Sequence, residues 1–136
     1  MKVLICCSKY IYNQIPEIKK ELESHGHQVS LPNSYDDPMM EEKLKEMNFE
    51  ELVRWKGEML RKDKENIIPV DAILILNKEK KGQPNYIGAA TFLEMHTAFS
   101  EYKKIFLYNP IPENMLKDEL IGMNPTIINQ DLTQIK

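Results

Sequence analysis

The sequence is poor in cysteine and lacks long hydrophobic runs, and each shortage excludes a class of protein. Its only cysteines, Cys6 and Cys7, are adjacent and unsuited to an ordinary mutual disulfide, which excludes a disulfide framework and favours reduced thiols in a core. No apolar run approaches the roughly 20 residues that span a bilayer, and the opening MKVLICC lacks the hydrophobic region of a signal peptide. We therefore expect a cytoplasmic protein without a membrane partner.

Arginine is also scarce, and no stretch of the chain concentrates positive charge. Arg54 and Arg61 are the only arginines, and the formal net charge is −3 with acids and bases interspersed. Because no basic stripe is available to neutralise a phosphate backbone, we expect no nucleic-acid partner. With 136 residues, 42% of them hydrophobic, the chain suits a single domain over residues 1–136 with one core.

Strand-like apolar runs alternate with helical patterns along the chain, an order typical of α/β proteins. The strand patterns lie at 2–6, 28–31, 71–76, 104–108 and 126–128. The helical patterns lie at about 14–25, at 38–67 with a break near Asn48 or Gly57, from about Gly88 onward, and at 115–121. Strands joined by helices pair in parallel through right-handed crossovers. This predicts a three-layer α/β sandwich with a flavodoxin-like or Rossmann-like sheet of about five strands in the order 2-1-3-4-5.

Ligands of such sheets bind beyond the carboxyl ends of the strands, which places candidate site residues after Cys6, Leu76 and Tyr108. The residues at these positions do not match several common functions of this architecture. A phosphatase loop needs an arginine about six residues after its cysteine, but the residue six positions after Cys7 is Asn13. A phosphoryl-accepting receiver needs an aspartate after the third strand, but this position is Asn77. The first loop has no glycine for a dinucleotide pyrophosphate, and the histidines form no metal spacing with the cysteines. We expect neither a metal nor a redox cofactor.

Glu94 is an isolated acid in a helix of small and apolar residues. No lysine or arginine lies three or four residues from it, so the usual helix ion pair is absent. The predicted apolar stripe, with Glu94 at its border, consists of Phe92, Met95, Phe99 and Tyr102. Helical side chains lean toward the helix N-terminus, and this helix begins near Gly88 at the carboxyl edge of the sheet. The carboxylate is therefore expected to lean toward the ligand crevice; the alternative is a solvated glutamate on a helix flank.

The segment EMHTAFSEYKKIFL, which begins at Glu94, and the spaced acids Asp63 and Asp71 resemble the nucleoside 2-deoxyribosyltransferase superfamily, which includes deoxynucleoside monophosphate N-glycosidases. The segment EMHTAFSEYKKIFL is similar to the family's nucleophile helix and following strand, with the matching positions Glu94, Ala98, Lys103 and Ile105. Upstream, the family has an aspartate on a helix, an apolar residue four later and a second aspartate eight later, matched by Asp63, Ile67 and Asp71. Together with the first strand, the resemblance spans most of the chain.

The resemblance implies N-glycosyl transfer or hydrolysis on a nucleoside or nucleotide. Glu94 would be the nucleophile that forms a covalent glycosyl-enzyme, by the logic of a retaining glycosidase. Asp63 would orient the sugar hydroxyl and the nucleophile, or assist protonation of the leaving base. A helix that enters a strand ends at the amino edge of the sheet, so Asp63 reaches the crevice only if its helix is short or tilted. The alternative function is a non-catalytic nucleotide-binding module of the same fold.

The loops around the expected site depart from the family pattern. The family's acid often follows glycine directly, whereas five residues separate Gly88 from Glu94 here. Lys9 is the only cation near the first loop, and the arginine that relatives use on a phosphate is absent, which leaves the phosphorylation state of the substrate open. The candidate substrate-binding residues are Ser8, Tyr10, Asn77, Asn85, Tyr86 and Gly88.

Assembly is the last expectation that the sequence supports. The second helical region is amphipathic and rich in methionine, with Met39, Met40, Met47 and Met59. Relatives complete their sites with a neighbouring subunit, so the resemblance implies a homodimer or a larger homo-oligomer.

Overall fold

The computed structural model describes residues 1–136, which form a five-stranded sheet with helices on both faces. All strand pairs are parallel, and the order is β2-β1-β3-β4-β5, which confirms the predicted fold class and strand order. The strands are β1 (Lys2–Cys6), β2 (Gln28–Ser30), β3 (Ala72–Ile75), β4 (Lys104–Leu107) and β5 (Thr126–Ile127). The helices are α1 (Ile15–Ser24), α2 (Met40–Met47), α3 (Phe49–Ile67), α4 (Ala89–Ser100) and α5 (Lys117–Met123).

The central strands bury both of their faces, and this divides the core into two layers. Val3 and Ile5 of β1 belong to a cluster that includes the apolar face of α1 and the C-terminal 3₁₀ turn Leu132–Gln134. The intervening residues Leu4 and Cys6 belong to a second cluster with residues of α3, α4 and α5. Alternate side chains of a strand point to opposite faces, so the uninterrupted apolar run of β1 serves both layers. Each fully buried aliphatic side chain contributes roughly 1.5–3 kcal/mol.

The long helical region is broken at Asn48, one of the two predicted positions. Asn48 has an extended backbone, with φ −158°, and its side-chain oxygen accepts a hydrogen bond of 3.1 Å from the backbone N–H of Glu51. This N-cap satisfies a donor that the first turn of α3 leaves unpaired. Gly57, the other candidate, lies inside α3. None of the helices combines the length and the apolar character needed to cross a bilayer.

The face of α4 that packs on the sheet differs from the predicted stripe. Phe99 and Tyr102, both assigned to that stripe, are 47% and 96% exposed, whereas the buried residues of the helix are Thr91, Met95 and Ala98. The prediction weighted side-chain size, but close packing against β3, β4 and α3 favours the smaller side chains at positions 91 and 98. With Thr91, Met95 and Ala98 buried, Glu94, the only acid of α4, lies on the side of the helix that borders α3.

Candidate active site

A cavity of about 570 Å³ lies beyond the carboxyl ends of the first strands. Its walls come from the loops after β1 and β3, the segment 32–34 after β2, the helices α2 and α3, and the first two turns of α4. This is the place where ligands bind in open parallel sheets, and the volume is typical of sites for small molecules. Ser8, Tyr10, Tyr86 and Gly88 line the cavity, together with Glu94 and Asp63.

Glu94 is partly buried in the wall of this cavity and is not a fully solvated flank residue. Burial, the largest effect, and the negative charge of Asp63 raise its pKa from 4.5 to about 8. A hydrogen bond with Cys6 and the charge of Lys56 act in the opposite direction and lower this pKa. Cys6 is the last residue of β1 and is fully buried, which places its thiol at the carboxyl end of this strand, near Glu94.

Asp63 also reaches the cavity, although α3 runs toward the amino edge of the sheet. Helical side chains lean toward the helix N-terminus, which for α3 is the direction of the carboxyl edge. The geometric conflict noted for this residue is thereby resolved without a short helix, because α3 extends over 19 residues. Burial raises the pKa of Asp63 from 3.8 to about 6, whereas the charge of Lys56 and a hydrogen bond from Asn33 lower it.

The two cysteines remain neutral thiols at physiological pH. Burial, followed by the charge of Glu94, raises the pKa of Cys6 well above its ordinary value. The same two effects raise the pKa of Cys7 to about 12. Because the thiolate is the reactive form of cysteine, neither residue is suited to act as a nucleophile. The two carboxyl groups are therefore the ionisable groups of this cavity that titrate near neutral pH.

The cavity is richer in positive charge than the sequence indicated. Lys9, Lys56 and Lys80 all line it, so Lys9 is not its only cation. Lys9 is paired with Glu42, and Lys56 is paired with Glu41 at 2.9 Å. Lys80 has no carboxylate partner. Lys56 belongs to α3 and Lys80 to the loop after β3, and neither was among the predicted site residues.

The Lys80 ammonium lies between two aromatic rings at the cavity wall. Its Nζ is 4.5 Å from the ring centroid of Tyr10 and 4.5 Å from that of Tyr86, and 3.5 Å from the Tyr86 hydroxyl. Cation–π contacts of this kind hold a long side chain in place without neutralising its charge. The result is a positioned, unneutralised cation at the cavity.

Asn77 and Asn85 do not line the cavity, in contrast to the prediction. Asn77 is fully buried, and its amide donates to the backbone oxygens of Asn109 at 2.8 Å and Pro110 at 3.0 Å, while its oxygen accepts from the Asn109 N–H at 2.8 Å. These bonds tie the loops after β3 and β4 together and leave the amide no role toward a ligand. Asn85 has φ +56° and stands in the turn outside the cavity.

The residues that sequence reasoning missed come from the segment after β2 and from α2 and α3. Asn33, Trp55 and Lys56 all line the cavity. A signal for Asn33 existed, since it follows the carboxyl end of a predicted strand. Lys56 lies seven residues, about two helical turns, before Asp63 and thus on the same face of α3.

No family model matches this chain, and no match is found among curated proteins. Among solved structures, the CMP N-glycosidase BcmB of Clostridium botulinum is similar over 99% of this chain and 98% of its own, with a TM-score of 0.59 and 15% identity. The chain shares its fold with BcmB. The flavoenzyme NAD(P)H:(acceptor) oxidoreductase FerB of Paracoccus denitrificans is similar over 93% of this chain and 73% of its own, with a TM-score of 0.48 and 13% identity. The resemblance stated from the two motifs is thus confirmed in its fold.

Proposed function

We propose that this protein cleaves or transfers the N-glycosidic bond of a small nucleotide or nucleoside, with Glu94 as the nucleophile. The observation that carries the proposal is the pair of partly buried carboxyl groups, Glu94 and Asp63, which line one cavity of suitable size and have raised pKa values. Perturbed carboxyl pairs in clefts are typical of catalytic sites. The same two positions match the acid motifs of the superfamily, and the fold is that of a CMP N-glycosidase.

The chemistry divides one displacement into two steps. A Glu94 oxygen attacks the anomeric carbon, the carbon–nitrogen bond breaks, and its electron pair leaves with the base, which takes up a proton. Water or a second base then attacks the same carbon and releases Glu94. Attack by water makes the protein a hydrolase, and attack by a second base makes it a transferase. Asp63 is placed to orient the sugar or to assist protonation of the leaving base.

The protonation state of Glu94 controls the first step. Burial raises the pKa of Glu94 to about 8 and that of Asp63 to about 6, so Glu94 is the carboxyl group that keeps its proton to the higher pH. Attack requires the ionised form of Glu94, so this proton must leave before the glycosyl bond forms. An assay near pH 9 therefore presents the nucleophile in its reactive form.

A panel of deoxynucleosides, ribonucleosides and their monophosphates tests the proposal. Incubation near pH 9, with and without a second free base, followed by chromatography, should show base release or base exchange from at least one compound. Calorimetry on the same panel measures binding separately. Binding without any base release would contradict catalysis and identify the protein as a nucleotide-binding module.

Lys80 should distinguish phosphorylated from unphosphorylated substrates. A charge-assisted hydrogen bond to a phosphate is worth about 1.5–3 kcal/mol. The change Lys80→Gln should therefore lower kcat/KM for monophosphates roughly tenfold to a hundredfold, with less than about a threefold change for the matching nucleosides. The control is Lys81→Gln, because the Lys81 ammonium is 5.9 Å from the Tyr10 ring and does not line the cavity. Equal losses for both substrate classes would contradict phosphate recognition by Lys80.

We further propose that the protein forms a homodimer or a larger homo-oligomer through α2 and α3. Met47, Phe49 and Val53 are 81%, 75% and 57% exposed, and together they form an apolar surface of the kind that protein partners cover. Light scattering at micromolar concentration should give at least twice the 16.0 kDa of one chain. Phe49→Glu should shift the mass toward the monomer, whereas Met115→Glu, at a distant residue that is 90% exposed, should not. A monomeric wild type would refute this assembly.

A further inference from the structure

Asn33 is fixed by three hydrogen bonds against one face of α3. Its side-chain nitrogen donates to Asp63 Oδ1 at 2.7 Å and to the backbone oxygen of Met59 at 3.2 Å, and its oxygen accepts from the side-chain nitrogen of Asn66. Met59, Asp63 and Asn66 follow one another in α3 at intervals of four and three residues, so the Asn33 side chain contacts two successive turns of the helix. A backbone carbonyl can only accept, which determines which end of the Asn33 amide faces Met59 and Asp63.

This contact makes the two oxygens of Asp63 different. Oδ1 is held by Asn33, whereas Oδ2 receives no hydrogen bond from the protein. Both residues line the cavity, while Asn66 does not. An amide that donates to a carboxylate stabilises the charged form and restricts the side chain to one orientation.

We propose that Asn33 is a positioning residue of this site: its amide holds Asp63 by one oxygen, leaves the other oxygen for the ligand, and favours the ionised form of the Asp63 carboxyl group by donating a hydrogen bond to it. As far as it concerns turnover, this inference rests on the proposed function. The part that concerns the charge and orientation of Asp63 in the free protein does not rest on the proposed function.

Charged and titratable groups of α3, α4 and β1 surround Asp63. The charge of Lys56 in α3 lowers the pKa of Asp63 more than the Asn33 hydrogen bond does, and Lys56 is also paired with Glu41 of α2 at 2.9 Å. The charge of Asp63 in turn raises the pKa of Glu94 in α4 and of Cys6 in β1. Asn33 is the one neutral group that donates a hydrogen bond to Asp63 directly.

The first test is an NMR titration of the Asp63 carboxyl carbon in the free protein. Asn33→Ala removes the donor and should raise the titration midpoint by about one pH unit; Asn33→Asp replaces the donor by an acceptor and should raise it further. Asn66→Ala is the matched control, because it loosens Asn33 but leaves both of its donors, and its midpoint should move by less than about 0.3 pH unit. Equal midpoints for wild type and both Asn33 variants would overturn the inference.

The second test separates position from proton content. Near pH 9, above the pKa of about 8 for Glu94 and of about 6 for Asp63, the ionised forms of both carboxyl groups predominate, so the loss that remains in a variant reports misplacement of Asp63. There, Asn33→Ala should lower kcat about tenfold with less than a threefold change in KM, and Asn66→Ala should lower kcat less than threefold. Equal losses in the two variants would reduce Asn33 to a structural residue. If no substrate is turned over at all, the proposed function fails, yet the titration still decides the role of Asn33.

Discussion

Replacing Glu94 by glutamine is expected to lower turnover by at least roughly a thousandfold while substrate affinity stays within a few-fold of wild type. The amide has nearly the shape of the protonated carboxyl group but is almost non-nucleophilic, so the fold and the ground-state contacts persist while the covalent route is lost. Asp63→Asn should cost less, on the order of tenfold to a hundredfold, because orienting or proton-transfer assistance contributes less than the nucleophile itself. Single-turnover base release at about pH 9 measures both effects.

Glu101→Gln provides the matched control for this loss. Glu101 follows α4 directly, pairs with Lys64 at 3.6 Å, and does not line the cavity, so its turnover should remain at the wild-type value. A 2-fluoro-deoxyribosyl donor should add one sugar mass to the peptide that contains Glu94, since fluorine destabilises the cationic transition state and slows release of the intermediate. Undiminished turnover of a true substrate by Glu94→Gln would refute the nucleophilic role.

The same substitution is expected to stabilise the protein at alkaline pH. The pKa of Glu94 rises from 4.5 to about 8 on folding, so the folded state binds this proton more tightly than the unfolded state. The resulting stability is fully present below about pH 4.5 and is lost as the pH rises through about 8. One pKa unit corresponds to about 1.4 kcal/mol. Glutamine does not titrate, so Glu94→Gln should be more stable than wild type by between about 2 and 5 kcal/mol at pH 9.

Urea unfolding at pH 5 and pH 9 measures this difference. At pH 5 the wild-type carboxyl is mostly protonated when folded, and the two proteins should unfold at similar urea concentrations. At pH 9 the midpoint of Glu94→Gln should be clearly higher, while Glu101→Gln should follow the wild type at both values. A midpoint for Glu94→Gln at pH 9 equal to or below that of the wild type would show that Glu94 is not held in a desolvated site.

Local sequence patterns predicted the helices, strands and sheet order well. Alternation of strand and helix patterns and the break of the helical region at Asn48 are properties of short segments, and such segments set their own backbone geometry. The buried face of α4 was the exception. Side-chain size favoured Phe99 and Tyr102, but close contact with two strands and α3 selected Thr91 and Ala98.

The candidate site was only partly visible in the sequence. Glu94 and Asp63 were predicted as a pair through their motifs, and both line one cavity. Asn77 was predicted to bind the substrate because it follows β3, but its amide is hydrogen-bonded to Asn109 in the loop after β4. The position after a strand predicts which edge a residue occupies, and it does not predict whether the side chain turns toward the cavity or toward another loop.

By itself, the sequence determined the order of the elements, the parallel sheet and the edge at which polar groups gather, because periodicity and chain direction are local and follow from backbone geometry. Only the tertiary structure decided which side chains meet. Asn33 contacts Asp63 across 30 positions of the chain, and Lys80 lies against the ring of Tyr10 from the loop after another strand. Such contacts depend on how elements pack in the folded chain, and the shifts in the pKa of Glu94 and Asp63 arise from that packing because it partly buries both carboxyl groups.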